Sequence, residues 1–139
     1  MGRRLSLLLD TDVCIALLRG RSALPRRLLA ASLGDGRALH VSAISMHELW
    51  FGVAGSVRAQ AGAEELARLS TMLEILDFGP GDARAAGMIR NELKRLGTPI
   101  GSFDTLIAGQ AIARGLTLAT GNQREFSRVQ GLKLESWLD

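Results

Sequence analysis

The sequence predicts a three-layer α/β/α fold around a mainly parallel central sheet. Short apolar runs alternate with longer helical patterns, which is typical of a parallel sheet covered by helices on both faces. The first run reads Leu-Ser-Leu-Leu-Leu instead of alternating polar and apolar residues, as expected for a strand buried on both sides. The predicted strands are residues 5–9, 39–42, 75–78, 116–120 and 132–134.

Helical patterns occupy most of the intervals between these runs. They cover residues 11–18, 25–33, 45–53, 63–73, 82–96 and 103–114. Gly79-Pro80-Gly81-Asp82 has turn chemistry, with Asp82 available to cap the fifth helix, and residues 97–102 break the chain before the sixth. Neither segment resembles a linker. We therefore expect one domain over residues 1–139, a length that suits a single core.

The composition narrows the class of protein without deciding its function. A formal net charge of +3 is only a modest attraction for polyanions. The lone Cys14 excludes an internal disulfide and a Cys-based zinc cluster, and we expect it to be a small buried hydrophobe. No run approaches the roughly 20 apolar residues that cross a bilayer. We expect a soluble, cytoplasmic protein without a membrane partner.

Several carboxylates lie where strands give way to helices, and each has an ordinary structural explanation. Asp10 or Asp12 suits the N-cap of the helix after the first strand. Ser45-Met46-His47-Glu48 matches a capping box, and Asp104 lies in a first helical turn, where the macrodipole favours an anion. For any one of these acids, capping is the commoner role.

Considered together, Asp10, Glu48 and Asp104 favour a metal site. All three are expected at the carboxyl edge of the sheet, where open α/β sheets bind ligands. Asp104 shares a helical stripe with Ile107, Ala108 and Ala111, and Glu48 shares one with Ile44, Phe51 and Gly52, so both should face inward. Buried like charges are costly without a cation, and no Lys or Arg is spaced to pair with all three. Oxygen ligands without Cys or a His pair suit magnesium or manganese.

Four segments in order resemble the PIN-domain nucleases, and specifically the VapC-like toxins of bacterial toxin-antitoxin pairs. The resemblance runs nearly end to end, and the four together are far more specific than any one. They are Leu-Leu-Leu-Asp-Thr-Asp at 7–12, Ser-Ala-Ile-Ser-Met-His-Glu-Leu at 42–49, Ile-Gly-Ser-Phe-Asp-Thr-Leu-Ile-Ala at 100–108 and Leu-Ala-Thr-Gly-Asn-Gln-Arg-Glu-Phe at 118–126.

This resemblance implies a PIN-like (Rossmann-like) fold and an endoribonuclease that hydrolyses RNA phosphodiester bonds with one or two Mg²⁺ or Mn²⁺ ions. It implies Asp10, Glu48 and Asp104 as acidic metal ligands and Thr120 as a hydroxyl that borders the site. It also implies a cognate antitoxin that covers the acidic site and restrains the toxicity, and a homodimer.

The chain departs from the family pattern at two positions. Where many members carry a fourth acid, this chain has Asn122, which can offer a carbonyl oxygen to a metal or orient a water but adds no negative charge. Glu125 follows three residues later, as an outer acid of the site or a surface residue. Asp12 replaces the Asn of the usual Asp-Thr-Asn form, and it either binds metal-bound water or caps the helix. The number of ions is left open.

Other classes of protein share parts of this pattern. Asp10-Thr11-Asp12-Val13 also opens haloacid-dehalogenase-like phosphatases, which need a downstream Lys that Lys94 and Lys133 do not match in context. A receiver-like switch would leave Glu48 and Asp104 unused. A catalytically idle PIN-like binding module, with Asn122 as the sign of a lost site, is the third alternative.

A few further residues have two interpretations each. We favour structural roles for His40 and His47 over acid-base catalysis. Trp50 and Phe51 suit core packing or a partner contact more than base stacking. The densest basic run could follow an RNA backbone, although a solvated face is the more ordinary explanation. This run consists of Arg19, Arg21, Arg26 and Arg27.

Overall fold

The central sheet is parallel throughout, as the sequence predicts. The computed structural model describes residues 6–138, and five strands within them form one sheet in the order β3-β2-β1-β4-β5. Sequence order therefore reverses between β1 and β4, and ligands of open α/β sheets bind at such a switch point. The strands are β1 (Leu7–Leu9), β2 (Leu39–Ser42), β3 (Glu74–Leu76), β4 (Thr117–Thr120) and β5 (Leu134–Ser136).

Helices cover both faces of this sheet. The six predicted helices are all present, each within a few residues of its expected bounds, and a short seventh follows β4. They are α1 (Thr11–Arg19), α2 (Ala23–Gly34), α3 (Ala43–Ala54), α4 (Ala59–Ser70), α5 (Pro80–Leu96), α6 (Ser102–Arg114) and α7 (Gln123–Phe126). Within residues 6–138, no helix is long and apolar enough to span a membrane.

Two apolar cores lie on opposite sides of the sheet, because successive side chains of a strand point to opposite faces. Leu7 and Leu9 of β1 belong to the core beneath α1, α2, α3 and α4. Leu8 belongs to the other core, beneath α5 and α6. All three are fully buried, as predicted for a strand covered twice. Cys14 is a free, buried residue of the first core, which confirms its expected role.

The edge strands differ from the prediction, whereas the interior strands match it closely. The predicted strand 75–78 is wrong at its end, because β3 stops at Leu76. The predicted strand 132–134 is also wrong, because β5 begins at Leu134. Both edge strands are partly exposed, so an apolar run is a poor guide to their bounds. The predicted start of the first strand at residue 5 lies outside the described residues.

The start of α3 corrects two details of the sequence analysis. Its N-cap is Ser42, whose hydroxyl accepts from the amide of Ile44 at 3.1 Å, so the predicted capping box from Ser45 to Glu48 is wrong. The predicted apolar stripe through Phe51 is wrong as well, because Phe51 is 79% exposed and α3 buries Ser45 and Leu49. Apolar residues occur on several sides of α3, so their spacing does not show which side of the helix is buried against the sheet.

Candidate active site

Asp10 follows β1 directly and lies at the centre of the sheet's carboxyl edge. Its side chain is the N-cap of α1, and Oδ1 accepts from the amide of Thr11 at 2.8 Å. Oδ2 accepts from the hydroxyl of Thr120, at the end of neighbouring β4, also at 2.8 Å. Only 4% of the residue is exposed. The capping role and the proposed site role therefore coexist in one carboxylate.

Glu48 is held near Asp10 through the hydroxyl of Thr11. Thr11 Oγ1 lies 2.9 Å from Glu48 Oε1 and 2.9 Å from Ser45 Oγ. A carboxylate only accepts hydrogen bonds, so Thr11 donates to Glu48 and accepts from Ser45. The sequence predicted no separate role for Thr11, and it predicted Ser45 only as the start of a capping box, which the structure contradicts. The available signal was a hydroxyl residue between two acids, but its partner is more than 30 positions away.

Asp104 comes to the same edge in the first turn of α6. The N-cap of this helix is Gly101, and a side chain at that position would meet Asp104 Oδ2 at 3.1 Å. The predicted inward stripe is confirmed, since Ile107, Ala108 and Ala111 are buried. The backbone of Gly101 thus makes room for Asp104, a function that sequence reasoning missed.

Glu125 and Asn122 form a hydrogen-bonded pair beside Asp104. Glu125 Oε1 accepts from the Gly101 amide at 2.9 Å, and Oε2 accepts from Asn122 Nδ2 at 2.7 Å. The backbone N–H of Asn122 in turn donates to Thr120 Oγ1 at 3.0 Å. Because Asn122 turns its NH₂ group toward Glu125, its carbonyl oxygen is left for another partner. Asn122 thus positions Glu125. We call the acids at this edge of the sheet the acidic cluster; its members are Asp10, Asp12, Glu48, Asp104 and Glu125.

Asp12 completes the cluster from the first turn of α1. Its Oδ2 accepts from the amide of Gly121 at 3.2 Å. Its Oδ1 is buried and has no hydrogen-bond partner. A buried acceptor without a donor is costly, and a proton or a cation would satisfy it.

Two of the acids, Asp10 and Asp104, have pKa values above the ordinary range of a carboxyl group. Burial, followed by the charge of Asp12, raises the pKa of Asp10 to about 8, although the hydrogen bond from Thr120 opposes this. Burial, followed by the charges of Glu125, Glu48 and Asp12, raises the pKa of Asp104 to about 6. The bonds from Asn122 and Gly101 lower the pKa of Glu125. Carboxylates from four helices therefore sense each other, as expected of a site that holds a cation.

The chemistry of these donors fits Mg²⁺ or Mn²⁺. In residues 6–138, no ion pair neutralises any of the five acids, and Asp12 Oδ1 lacks a donor. Over the same residues, no three acidic, His or Cys side chains are grouped closely enough to hold a metal ion by themselves. Magnesium seldom needs such a cage, because it binds through one or two carboxylates, several waters and substrate phosphates. The ligands therefore fit such an ion only together with water and substrate oxygens.

The family of the chain follows from comparison with known proteins. The PIN domain family model matches residues 7–132. The chain belongs to the PIN-domain family. The tRNA(fMet)-specific endonuclease VapC of Shigella flexneri is 35% identical over 133 residues, which cover 96% of this chain and 98% of that protein. The predicted resemblance to PIN-domain, VapC-like proteins is confirmed.

Solved PIN-family structures have the same fold. The crystal structure of VapBC2 from Rickettsia felis, bound to a DNA fragment from their promoter, matches with a TM-score of 0.91 and 31% identity. The match covers 96% of this chain and 100% of the Rickettsia felis chain. VapBC-5 from Mycobacterium tuberculosis, a member of the VapBC family of toxin-antitoxin systems, matches with a TM-score of 0.66 and 27% identity, covering 94% and 96%.

The PIN family membership removes the phosphatase and receiver alternatives. The sheet order also differs from the 2-1-3-4-5 order of receiver-like folds.

The two histidines and Trp50, for which the sequence left two interpretations each, lie outside the set of acids. His47 packs against Phe103 next to Asp104, with ring centroids 5.7 Å apart, and His40 lies 3.3 Å from Glu74 on β3. Trp50 is 46% exposed, so it does not serve the core packing that the sequence analysis considered.

Proposed function

We propose that this protein is a Mg²⁺- or Mn²⁺-dependent endoribonuclease, restrained by a cognate antitoxin. The observation that carries the proposal is the convergence of acids from α1, α3, α6 and α7 on one sheet edge, where no described cation forms an ion pair with Asp10, Glu48 or Asp104. The relatives named VapC support RNA as the substrate, and the VapBC structures support an antitoxin as the partner. Since the substrate is cellular RNA, we expect the protein in the cytoplasm.

Each acid has a distinct proposed role. Asp10, Glu48 and Asp104 are the metal ligands and so the catalytic residues. Asp12 and Glu125 add negative charge around them, and Thr120 holds Asp10 in place through its 2.8 Å hydrogen bond. Asn122, a possible ligand by sequence, turns its NH₂ group to Glu125, so its contribution to a metal would come from the carbonyl oxygen alone.

The chemistry divides between the ion and the chain. One or two Mg²⁺ or Mn²⁺ ions, held by Asp10, Glu48 and Asp104, would supply the Lewis acidity that activates a water and offsets charge on the phosphodiester. The chain holds the ligands at fixed positions. Thr11 fixes Glu48, and the Glu125 to Gly101 bond fixes the start of α6 beside Asp104. No side chain has to act as a nucleophile, which agrees with the inert, buried Cys14 and its pKa raised to about 12.

The test is metal-dependent RNA cleavage by the purified protein. We expect cleavage with Mg²⁺ or Mn²⁺, none with EDTA, and a loss of at least about a hundredfold in Asp10→Asn and Asp104→Asn, because each removes a ligand's charge. Glu64→Gln, an exposed acid on α4, is the matched control and should cleave at the wild-type rate. Wild-type cleavage by Asp104→Asn, or no cleavage with either metal, would support the idle binding module instead.

The substrate and the assembly need separate measurements. A comparison of initiator tRNA, other tRNAs and unstructured RNA, with sequencing of the new RNA ends, identifies the RNA and the bond. The homodimer that the family resemblance implies is tested by sedimentation of the purified chain, alone and with the antitoxin. A monomer at all concentrations would contradict the homodimer without affecting the nuclease proposal.

A further inference from the structure

A pocket of about 410 Å³ adjoins the acidic cluster and shares Asp12 with it. One wall is a single stripe of α1 formed by Asp12, Ile15, Ala16 and Arg19. These positions are related as i, i+3, i+4 and i+7, so they lie on one face of the helix. From Asp12 to Arg19 the stripe rises roughly 10 Å along the helix axis. The pocket therefore begins at the cluster and ends at a basic residue.

The rest of the wall comes from the turn after α1 and from the end of the described chain. α1 ends at Arg19 and is capped by Gly20, whose φ of 64° turns the backbone so that Arg21 and Ser22 also line the pocket. Opposite them lies Leu138, which packs over Gly121, the residue whose amide binds Asp12. The walls thus tie the pocket to β4 as well as to α1.

The two ends of the pocket have different chemistry. Arg19 and Arg21 are exposed, and in the part of the chain that the structure describes neither takes part in an ion pair. Ile15, Ala16 and Leu138 supply apolar surface between these arginines and the acid. The pocket suits a ligand that combines an anionic group with a flat, largely apolar one. A nucleotide has this combination, since its phosphate binds Arg and its base packs on apolar side chains.

We infer that this pocket binds the RNA nucleotide next to the bond that is cut. Its phosphate lies between Arg19 and Arg21, and its base packs over Ile15 and Ala16. The continuity of the pocket with Asp12 places this nucleotide beside the metal ligands. The inference rests on the proposed RNA cleavage and adds the direction in which the strand leaves the site. The pocket also gives Arg19 and Arg21, two members of the basic run in the sequence, a specific role in binding RNA.

The experiment compares Arg19→Gln and Arg21→Gln with Arg27→Gln. Arg27 is an exposed member of the same basic run and does not line the pocket, so it controls for loss of one positive charge. Binding of a 15-nucleotide single-stranded RNA and of initiator tRNA is measured in Ca²⁺ at several salt concentrations. Cleavage of the same RNAs is measured in Mn²⁺.

We expect Arg19→Gln and Arg21→Gln each to weaken RNA binding about fivefold at low salt and to raise KM with little change in kcat. Each should also reduce the salt dependence of binding by about 0.7 in the logarithmic slope, since one phosphate contact is lost. Arg27→Gln should leave the affinity nearly unchanged. If all three variants lose the same small amount of affinity, the positive charge acts only at long range and the inference is wrong.

Three further outcomes separate this inference from an antitoxin pocket and from the proposed function itself. If the pocket variants bind and cleave RNA normally but no longer co-purify with the antitoxin, the pocket serves the antitoxin and the inference is overturned. If the wild type cleaves no RNA, the proposed function fails, and the pocket is then judged by the binding measurements in Ca²⁺ alone. Normal wild-type cleavage with unchanged KM in both pocket variants overturns the inference and leaves the proposed function standing.

Discussion

Asp104 lies in the first turn of α6, partly buried and close to acids of three other helices. Its pKa is raised to about 6, first by burial and then by the charges of Glu125, Glu48 and Asp12. When an acid has a higher pKa in the folded state than in the unfolded state, the protein becomes less stable as the pH rises from the unfolded pKa to the folded pKa. The ionised Asp104 therefore destabilises the metal-free protein at neutral pH.

We expect Asp104→Asn to stabilise the metal-free protein by about 1 kcal/mol at pH 7.5, after allowance for solvent screening. Below about pH 4 the gain should vanish, because the wild-type acid is then protonated in both states. Urea unfolding in EDTA at the two pH values measures this, with Glu64→Gln as the exposed control. A less stable Asp104→Asn at pH 7.5 would show that its repulsion is not the dominant effect.

Thr120 is fully buried and makes two hydrogen bonds, one to Asp10 and one from the Asn122 amide. Thr120→Val keeps the shape and removes both. Because the bond from Thr120 lowers the pKa of Asp10, its loss favours the protonated acid, which binds metal poorly. We expect Mn²⁺ affinity to fall about tenfold. Calorimetric titration measures it, and Thr120→Ser should bind as the wild type does; equal affinity in Thr120→Val would exclude a role for the hydroxyl.

Single residues of the site were predictable where a short motif marks them, but their partners were not. Asp10, Glu48 and Asp104 were located from strand ends and family-like segments, although their roles as ligands stay predictions. Thr11 and Gly101 were missed because their contacts join residues 37 and 24 positions apart. Periodicity and spacing report on neighbours along the chain, whereas these bonds depend on how α3 and α7 are placed in space.

At the scale of secondary-structure elements, an ion pair between a buried Asp82 and an exposed Arg114 joins α5 to α6. Asp82, at the third position of α5, is 3% exposed and lies 3.0 Å from Arg114 at the end of α6. Asp82 also accepts from the Gly79 amide and from Gln110. The bonds from Arg114, foremost, lower the pKa of Asp82. The ionised Asp82 therefore stabilises the protein fully above about pH 4, and this stabilisation is lost as the pH falls through the lowered pKa that Asp82 has in the folded state.

We expect Asp82→Asn to lose about 1–2 kcal/mol of unfolding free energy between pH 5 and 7, since Arg114 is partly exposed and water screens the pair. The difference from the wild type should shrink below about pH 4. Urea unfolding across pH 3–7 measures it. Glu92→Gln, which breaks the exposed pair with Arg95 within α5, should change little. A pH-independent loss in Asp82→Asn would rule out the ion pair as the cause.

The crossing of α5 and α6 depends on a glycine. A Cβ at Gly109 would lie 2.5 Å from the backbone of Ala86, which leaves no space for a methyl group. Gly109→Ala should destabilise the protein by about 2 kcal/mol, despite the better helix propensity of Ala. Gly87→Ala on α5 meets nothing within 4 Å and should instead stabilise it by about 0.5–1 kcal/mol. Thermal unfolding checks this: Tm should fall in Gly109→Ala and rise in Gly87→Ala. If Tm shifted equally in both variants, α5 could move away from α6 without loss of stability.

The elements that the sequence predicted well are those buried on both sides. β1, β2 and β4 occupy the interior of the sheet, where continuous apolar runs mark a strand. β3 and β5 are the edges, partly exposed, and their bounds were wrong. The helix α7 was missed because its four residues are too short for a helical period. The facing of α3 was wrong because apolar residues surround much of that helix.

For the whole molecule, the sheet order explains how acids from distant segments meet. β1 lies between β2 and β4, so the residues after these three strands share one edge. That is why Asp10 can bond Thr120 across 110 positions of sequence. Residue patterns predicted a parallel sheet, but they did not predict the order of its strands. That the chain forms one domain stays a prediction.

The final prediction concerns the protein in a living cell. If the acidic cluster cleaves cellular RNA, production of the wild-type protein alone should arrest the growth of a bacterial host, and co-expression of the small gene next to it should relieve the arrest. Asp104→Asn should be produced at the same level without arrest, whereas Glu64→Gln should arrest growth as the wild type does. The measurements are colony counts and RNA integrity after induction. Arrest by Asp104→Asn with intact RNA would mean that binding, and not cleavage, is the toxic activity, whereas full relief by the neighbouring gene with recovered RNA supports the restrained nuclease.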